Sequence, residues 1–271
     1  MNTNGLIIAT VIGFMGMTSS FCLAGVDEGA AFYRSGNFTS AIAEFRSLAE
    51  RGDPRAQHWL GVMYHLGKGV DKDDKQSIAW YLKAVEKGGA DTQTNLGSMY
   101  FEGSGVPQSD KLAVFWWRKA ANQNDRYAQF RLATMLEEGQ GVMKDEVQAV
   151  KLFRAAADQG YALAQVRLGD LYSSGRGKAR DDRQAIVWYR KAADQGDRHA
   201  QFSLGAMYNE GRGITKDKSL AYFWWTLASE KGNESAKFAL ERLAPSLTPD
   251  QRLAAEVAAR EWRPKKPAAL K

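Results

Sequence analysis

Few residues in this sequence have side chains suited to catalysis or metal binding, and their spacing does not support a site. The three histidines are His58, His65 and His199. His58 and His65 are seven positions apart and could share one face of a helix, but two ligands are too few for a zinc site. His199 is distant in the sequence. We therefore interpret the histidines as packing or surface residues and expect no bound metal.

The usual patterns of enzymatic catalysis are also missing from the sequence. No serine is followed by a lysine three places later, which Ser-Lys chemistry of the penicillin-binding type requires. Glu137 and Glu138 are adjacent, so on a helix they point to different faces and do not form an acid–base pair. Gly-x-Gly pairs recur, but no strand precedes them as it would in a phosphate-binding loop. We expect a protein that is not an enzyme and has no cofactor.

Composition and charge exclude further classes. The chain has 271 residues, of which 44% are hydrophobic, so it is long enough to bury a core. The net charge is +6, but the last twelve positions contribute +4 of it. The rest of the chain is nearly neutral, so a basic groove for nucleic acid is not indicated. We interpret the basic tail, residues 264–271, as a solvated, disordered end; contact with an anionic membrane or cell-wall polymer is the alternative.

The N-terminal residues predict export. Residues 1–24 carry no charged side chain and end in Cys22-Leu23-Ala24, with small residues where a signal peptidase cleaves. We predict a signal peptide cleaved after Ala24, and hence a periplasmic or secreted chain without stable membrane insertion. The apolar stretch is shorter than the roughly 20 residues of a spanning helix, and bulky Phe21 argues against a lipoprotein. Cys22 is the only cysteine, so the mature chain would lack disulfides.

The rest of the sequence repeats at an interval of 36 residues without insertion. Such an interval is typical of stacked supersecondary units. A leucine marks the register at Leu60, Leu96, Leu132, Leu168, Leu204 and Leu240. A glycine pair recurs at Gly67/Gly69, Gly103/Gly105, Gly139/Gly141, Gly175/Gly177 and Gly211/Gly213. A bulky pair recurs at Trp80-Tyr81, Trp116-Trp117, Leu152-Phe153, Trp188-Tyr189 and Trp224-Trp225. Five complete units therefore span about residues 53–232.

Each unit has the pattern of two helices joined by a turn. In the first unit, Ala56, Leu60, Met63 and Tyr64 fall on one stripe of a 3.6-residue period. Asp53-Pro54 suits the start of that helix, because Asp caps free amides and Pro fits the first helical position. The glycine pair allows a sharp turn with positive φ. The fold class predicted is therefore all-α, with five helix-turn-helix repeats.

The second helix of each unit has its own start and stop signals. Asp73-x-x-Gln76 is a capping-box pattern and recurs at Asp145 and Asp181. We expect the helix to end near Gly88, Gly160, Gly196 or Gly232, where a left-handed residue costs least. Small residues at Ala84, Ala120, Ala156, Ala192 and Ala228 would let neighbouring helices approach closely.

The two ends depart from the repeat, as the ends of a repeat array must if they are to face solvent. Residues 25–52 read as a helix pair with a shorter turn. Residues 233–263 read as a partial sixth copy followed by a closing helix that begins at Thr248-Pro249 and runs to about Trp262. The predicted organisation is thus 1–24 signal peptide, 25–52 N-terminal pair, 53–232 repeats, 233–263 C-terminal capping helices and 264–271 tail.

These motifs resemble a known family. The pattern Ala-Gln-x-x-Leu-Gly-x-x-Tyr-x-x-Gly-x-Gly followed by Trp-Tyr-x-Lys-Ala-Ala, as at residues 200–213 and 188–193, resembles the Sel-one-like repeat. Residues 31–45 resemble the related tetratricopeptide repeat. The third unit departs from the pattern at Ala133, Leu136 and Leu152, and the fourth at Lys178. The resemblance implies a right-handed α-solenoid superhelix whose first helices line a concave groove, in an adaptor that binds a protein or peptide partner; we expect a monomer.

A comparison of repeat columns identifies candidate binding residues without any homologue. Columns that are the same in every unit are interpreted as structural, whereas one face of the first helix varies. That face is Arg55, Trp59, Val62, Leu66; Asp91, Asn95, Ser98, Glu102; Tyr127, Arg131, Thr134, Glu138; and Leu163, Arg167, Asp170, Ser174. We call it the first-helix stripe. The predicted partner-binding residues within it are Arg55, Trp59, Asn95, Glu102, Tyr127, Arg131, Arg167 and Asp170.

Two interpretations of the stripe remain open. Trp59, Tyr127, Arg131 and Arg167 could anchor a peptide, since Trp, Tyr and Arg dominate binding hot spots. The stripe could instead be a solvated face with two buried rings. A cell-wall or glycan-binding regulator that uses Trp59 and the basic tail is the alternative function. The repeated glutamines at 57, 93, 129, 165 and 201 are expected to bond backbone between units, because buried amides need partners.

Overall fold

A computed structural model of the chain describes residues 18–87, 89–176 and 179–265. Residues 1–17 of the predicted signal peptide and residues 266–271 of the predicted tail lie outside the described residues. All regular elements in the described ranges are helical. The α-helices are α1 (Thr18–Arg34), α2 (Phe38–Glu50), α3 (Pro54–Leu66), α4 (Asp74–Ala84), α5 (Ala90–Glu102), α6 (Asp110–Asn122), α7 (Arg126–Glu138), α8 (Glu146–Asp158), α9 (Ala162–Ser174), α10 (Asp182–Asp194), α11 (Arg198–Glu210), α12 (Lys218–Glu230), α13 (Glu234–Leu243) and α14 (Pro249–Glu261). A short 3-10 helix, Ala244–Ser246, follows α13.

The chain divides into two compact units, one that ends at Gln108 and one that begins at Ser109. In the first unit, α1 packs on α2, α2 on α3, α3 on α4, and α4 on α5. In the second unit each helix from α6 to α12 likewise packs on the next, and α14 packs on α12. Successive helices that stack in chain order are the architecture of an α-solenoid, and the all-α fold class is therefore confirmed. Among the described residues, none of the helices combines the length and the apolar character needed to cross a membrane.

The helices begin where aspartate caps predict. The Asp53 carboxylate accepts hydrogen bonds from the backbone amides of Arg55 and Ala56, with Pro54 at the first helical position. In the second helices, Asp73, Asp145 and Asp181 accept from the amides of Gln76, Gln148 and Gln184. A complete capping box forms at Thr248 and Gln251, where the closing helix starts. These caps satisfy amides that a helix terminus otherwise leaves unpaired.

Left-handed residues end the helices. Each first helix stops at the first glycine of its pair, as Gly67 does at φ +64°. Three of the second helices, α8, α10 and α12, end two residues before the predicted glycine, so that Gly160, Gly196 and Gly232 lie just past the cap with positive φ. The helix α4 ends earlier, at Ala84. Asn124 takes that place in the second repeat at φ +64°, because asparagine tolerates this region better than other non-glycine residues. Gly88 lies outside the described residues.

The core is built from columns that the repeat makes identical. The five predicted alanines, Ala84, Ala120, Ala156, Ala192 and Ala228, are fully buried. In three hairpins a glycine of the first helix faces the second aromatic of the bulky pair. These contacts are Gly61 on Tyr81, Gly169 on Tyr189 and Gly205 on Trp225, and a methyl group at any of the glycines would overlap the ring. In the third repeat these two positions hold Ala133 and Phe153, and both are buried.

The second glycine of four of the pairs contacts the preceding hairpin, and Gly177 of the fourth pair lies outside the described residues. A Cβ atom at Gly69 would lie 2.6 Å from the carbonyl oxygen of Phe38, at the first residue of α2. Gly105 approaches Asp74, Gly141 approaches Asp110 and Gly213 approaches Asp182 in the same way. The sequence predicts only a sharp turn here. The structure adds that this turn is where consecutive hairpins meet backbone to backbone.

The two ends are built differently from the repeats. At the start, Val26, Phe45 and Leu48 form a buried cluster with Leu60, which joins α1 and α2 to the first repeat. Near the end, the backbone amide of Lys265 donates to the Asp194 carbonyl at 2.8 Å, and its Nζ atom lies 3.0 Å from the Asp194 carboxylate. The described part of the predicted tail therefore lies against α10.

Candidate partner-binding surface

In the first compact unit, the first two residues of the first-helix stripe, Arg55 and Trp59, already contact other side chains of the fold. The Trp59 ring stacks on Phe45, with ring centroids 5.4 Å apart and planes at 1°, and it also contacts Tyr33 at 5.0 Å. Arg55 is half exposed and pairs with Asp27 of α1 at 2.6 Å. Trp59 is thus partly buried in the N-terminal cluster, and Arg55 is held beside it.

Further along the same unit, α3 and α5 enclose a cavity of about 220 Å³. Its lining includes the stripe residues Val62, Leu66, Asn95, Ser98 and Glu102. The Asn95 side chain donates to the Tyr81 hydroxyl at 3.1 Å. Burial raises the pKa of Tyr81, so this phenol stays protonated and neutral. The cavity therefore offers apolar walls, one fixed amide and one exposed carboxylate.

In the second unit, the stripe residue Arg131 lies over a tryptophan ring. The Arg131 guanidinium carbon lies 4.8 Å from the centroid of Trp117. Tyr127, one turn earlier, is 36% exposed and contacts Tyr161 edge-on, with ring centroids 6.4 Å apart. Cation–π contact with Trp117 limits the orientations of the guanidinium.

Arg167 and Asp170 belong to a charged network in the same unit. Arg167 donates from Nε at 3.0 Å and from its terminal nitrogen at 2.5 Å to the Glu137 carboxylate. Asp170 accepts from the Tyr189 hydroxyl at 2.7 Å. Burial raises the pKa of Asp170, and the Tyr189 hydrogen bond and the Arg167 charge oppose that shift. A cavity of about 270 Å³ lined by Glu137, Glu138, Lys144, Glu146, Arg167 and Arg176, among others, opens beside this network.

Four of the five repeated glutamines bond backbone of the preceding hairpin, as predicted. Gln57 donates from Nε2 to the Ala49 carbonyl at 3.1 Å, Gln165 to Ala157 at 3.0 Å and Gln201 to Ala193 at 3.2 Å. Gln129 makes the same contact with Ala121 at 3.5 Å. Each acceptor carbonyl lies in the last turn of the second helix of the preceding hairpin. The glutamine amides therefore join consecutive hairpins.

Two of the histidines, His58 and His65, take part in local contacts. His58 Nδ1 lies 2.9 Å from the Thr92 hydroxyl, and His65 Nδ1 lies 2.7 Å from the Asp74 carboxylate. Within the described ranges, no group of three or more His, Cys, Asp or Glu side chains is placed to hold a metal ion.

The structure also contains a cavity that the sequence analysis missed. It measures about 890 Å³ and is lined by Phe202, Asn209, Lys216, Lys218, Trp225, Glu234, Ser235, Phe238, Ala239, Arg242, Leu243 and Ser246. Ser235, Ala239, Arg242 and Ser246 lie two repeat intervals after Leu163, Arg167, Asp170 and Ser174. They are therefore the sixth copy of the stripe. Extending the column comparison into the partial sixth unit would have found them.

Comparison with models of protein families matches the Sel1 repeat at residues 54–89, 90–125, 126–161, 162–197 and 198–233. Among solved structures, the chain is similar to a protective antigen of uropathogenic Escherichia coli strains that displays an SLR fold. That match has 30% identity and a TM-score of 0.78, and it covers 90% of this chain and 54% of the antigen. The chain thus spans about half the length of that relative. A search of curated proteins finds no match.

A Sel1 repeat protein from Oxalobacter formigenes is similar over its whole length, with 33% identity and a TM-score of 0.75 across 88% of this chain. The match to the family covers about two thirds of the sequence, in the register that the leucine and glycine columns define. The chain therefore belongs to the Sel1 repeat family, whose members generally act as protein-interaction scaffolds.

Proposed function

We propose that this protein is an exported, non-enzymatic scaffold that binds an extended segment of a partner protein along the first-helix stripe. One observation carries the proposal. The column of positions that changes residue type from repeat to repeat also lines a cavity in each unit, at Asn95 and Glu102 in the first and at Glu138 and Arg167 in the second. Repeat-invariant columns such as the leucines of the five complete repeats are buried instead.

The chemistry of the stripe suits a peptide ligand. Val62 and Leu66 provide apolar contact, while Asn95 and Glu102 can pair with peptide amides. Arg131, stacked on Trp117, is pre-oriented for a carboxylate or carbonyl, which lowers the entropy cost of binding. Arg167 is oriented by Glu137 and gives a second polar contact.

A protein ligand is favoured over a glycan at the N-terminal end of the stripe. Sugar recognition by tryptophan needs an open ring face, and the Trp59 ring stacks on Phe45 and contacts Tyr33. The part of Trp59 that remains exposed can contact an apolar side chain at the edge of a bound peptide.

The proposal is tested by crosslinking in cells from a photoreactive residue at position 131, followed by mass spectrometry. We expect one set of partner proteins to be captured from position 131 and not from position 151, since Lys151 lies on α8 outside the stripe. Arg131→Ala and Arg167→Ala should each weaken binding of the captured partner by about tenfold, with Lys151→Ala as the control. Unchanged affinity in both arginine variants, or retention by isolated peptidoglycan without any captured protein, would refute the proposal.

Export is tested separately. The uncharged segment 1–24 supports the proposal that the chain is cleaved after Ala24 and leaves the cytoplasm. N-terminal sequencing of protein from periplasmic and culture-medium fractions should begin at Gly25. A chain that keeps Met1 and stays in the cytoplasm would overturn this part of the proposal.

A further inference from the structure

The cavity in the second unit between α11, α12 and α13 has an aromatic floor. The Phe202 and Trp225 rings stack at a centroid distance of 6.2 Å, and Phe238 adds a third ring that is 60% exposed. The Trp225 indole Nε1 already donates to the Phe202 carbonyl at 3.0 Å. The floor therefore offers apolar ring surface, and the indole N–H is not available to a ligand.

The rim of the cavity is cationic. Lys216, Lys218 and Arg242 line it, and Glu234 is the one acidic lining residue. Within the described residues, none of these three cations lies within 4.0 Å of a carboxylate. The cavity beside Arg167 differs, since Glu137, Glu138 and Glu146 compensate its basic residues. Uncompensated cations around apolar rings attract a ligand that is both acidic and apolar.

We infer that this cavity binds an acidic peptide segment that inserts one large apolar side chain between Phe202, Trp225 and Phe238 while its carboxylates contact Lys216, Lys218 and Arg242. The inference rests on the proposed function, because the cavity continues the same stripe into its sixth copy. A volume of about 890 Å³ is enough for one large side chain and its neighbours. Small residues, Ser235 and Ala239, leave the peptide backbone room along α13.

The test uses the purified full chain and two fluorescein-labelled pools of nine-residue peptides. Both pools have Phe at the centre and Gly or Ser at the ends; two flanking positions on each side are Asp or Glu in one pool and Lys or Arg in the other. Binding is measured by fluorescence anisotropy at physiological salt, and a nine-nucleotide single-stranded DNA is measured in parallel. We expect the acidic pool to bind more tightly than either of the other probes.

Phe238→Ala and Lys218→Glu should each weaken binding of the acidic pool by about tenfold. The matched controls are Phe115→Ala, an exposed ring on α6, and Lys237→Glu, an equal charge change on α13; each should stay within about twofold of the unmodified chain. Phe238 is exposed, so its loss should leave the helices intact, and Lys216→Glu provides a second charge variant if it does not. Equal binding of the basic pool, tighter binding of DNA, no binding of the acidic pool, or unchanged affinity in the cavity variants would each overturn the inference.

Crosslinking from position 131 separates this inference from the proposed function. If the cavity variants still capture the same partners from position 131 while the acidic pool fails to bind, only the cavity assignment is wrong. Loss of capture from position 131 in Arg167→Ala with intact peptide binding would instead support both.

Discussion

Gln195 donates from its Nε2 atom to Oε1 of Gln165 at 2.8 Å, across the open end of the fourth hairpin. Gln165 in turn donates to the Ala157 carbonyl at 3.0 Å, so three helices share one chain of hydrogen bonds. Gln159 and Gln129 form the same link at 2.8 Å in the third hairpin. In the fifth hairpin Lys231 takes the place of the donor glutamine and bonds the Gly196 carbonyl instead, at 2.6 Å. The buried Gln201 Oε1 atom is left without a hydrogen-bond partner among the described residues.

A donor restored at position 231 should make the protein more stable than an isosteric residue that cannot donate. We expect the free energy of unfolding of Lys231→Gln to exceed that of Lys231→Met by about 1 kcal/mol, because only glutamine can donate to Gln201 Oε1. The difference is measured by urea unfolding. Both variants lose the Gly196 bond and the contact with Trp262, so their difference isolates the amide link. Equal stability of the two variants would show that Gln201 already has another partner.

The contact between hairpins at the second glycine should cost more to disrupt than the turn itself. Gly69 and Gly36 have similar φ, +75° and +81°, but a Cβ atom meets the Phe38 backbone only at Gly69 and nothing within 4 Å at Gly36. Gly36→Ala should therefore cost about 1–2 kcal/mol for the left-handed conformation alone. Gly69→Ala should cost at least about 2 kcal/mol more, since the hairpins must move apart. The comparison is made by chemical denaturation; equal losses would contradict the backbone contact.

His58 should make stability fall in mild acid. Burial lowers the pKa of His58 below its usual value of 6.5, and nearby Asp91 opposes the shift. The folded state disfavours the charged ring, so this contribution is present above pH 6.5 and is lost as the pH falls through the lowered pKa. His58→Phe should lose less unfolding free energy between pH 7 and pH 5 than the unmodified chain, measured by urea unfolding at each pH. His199→Asn, an exposed position, is the control, and an unchanged pH dependence in His58→Phe would refute the prediction.

Arg167 should couple energetically to Glu137. The Arg167 side chain is 30% exposed and that of Glu137 is 13% exposed, so solvent screens their pair less than a surface pair. A double-mutant cycle with Arg167→Met and Glu137→Gln should give a coupling energy of about 1–2 kcal/mol. The exposed pair Arg154 and Asp158, 3.0 Å apart, should give less than about 0.5 kcal/mol. A coupling energy as small as that of the exposed pair would mean that Arg167 is available to a partner at no cost in stability.

Much of the fold could be predicted from the residues alone. Asp53 and Asp73 cap the helices that they were predicted to cap, and Leu60, Leu96 and Leu132 occupy equivalent buried positions. Such features depend on neighbours within one helical turn, or on a spacing that is constant from repeat to repeat, and both can be read along a single chain.

The candidate site could be predicted only in part. The stripe was located as a column, but the stacking of Trp59 on Phe45 and the pairing of Arg167 with Glu137 join residues 14 and 30 positions apart. The cavity around Phe238 was missed because it combines residues of α11, α12 and α13. Its residues from α11 and α12 are not stripe positions, and the column comparison stopped at the fourth repeat.

The sequence by itself determined the repeat, its helices, their caps and the buried columns, because those follow from local hydrogen bonding and from the period of the apolar residues. The tertiary structure alone decided which side chains of the stripe are already engaged, that Gly69 packs on the Phe38 backbone, and where a cavity opens. The physical reason is that these features depend on the distance between successive hairpins. That distance is set by the packing of many side chains at once, so the residue type at any single position does not predict it.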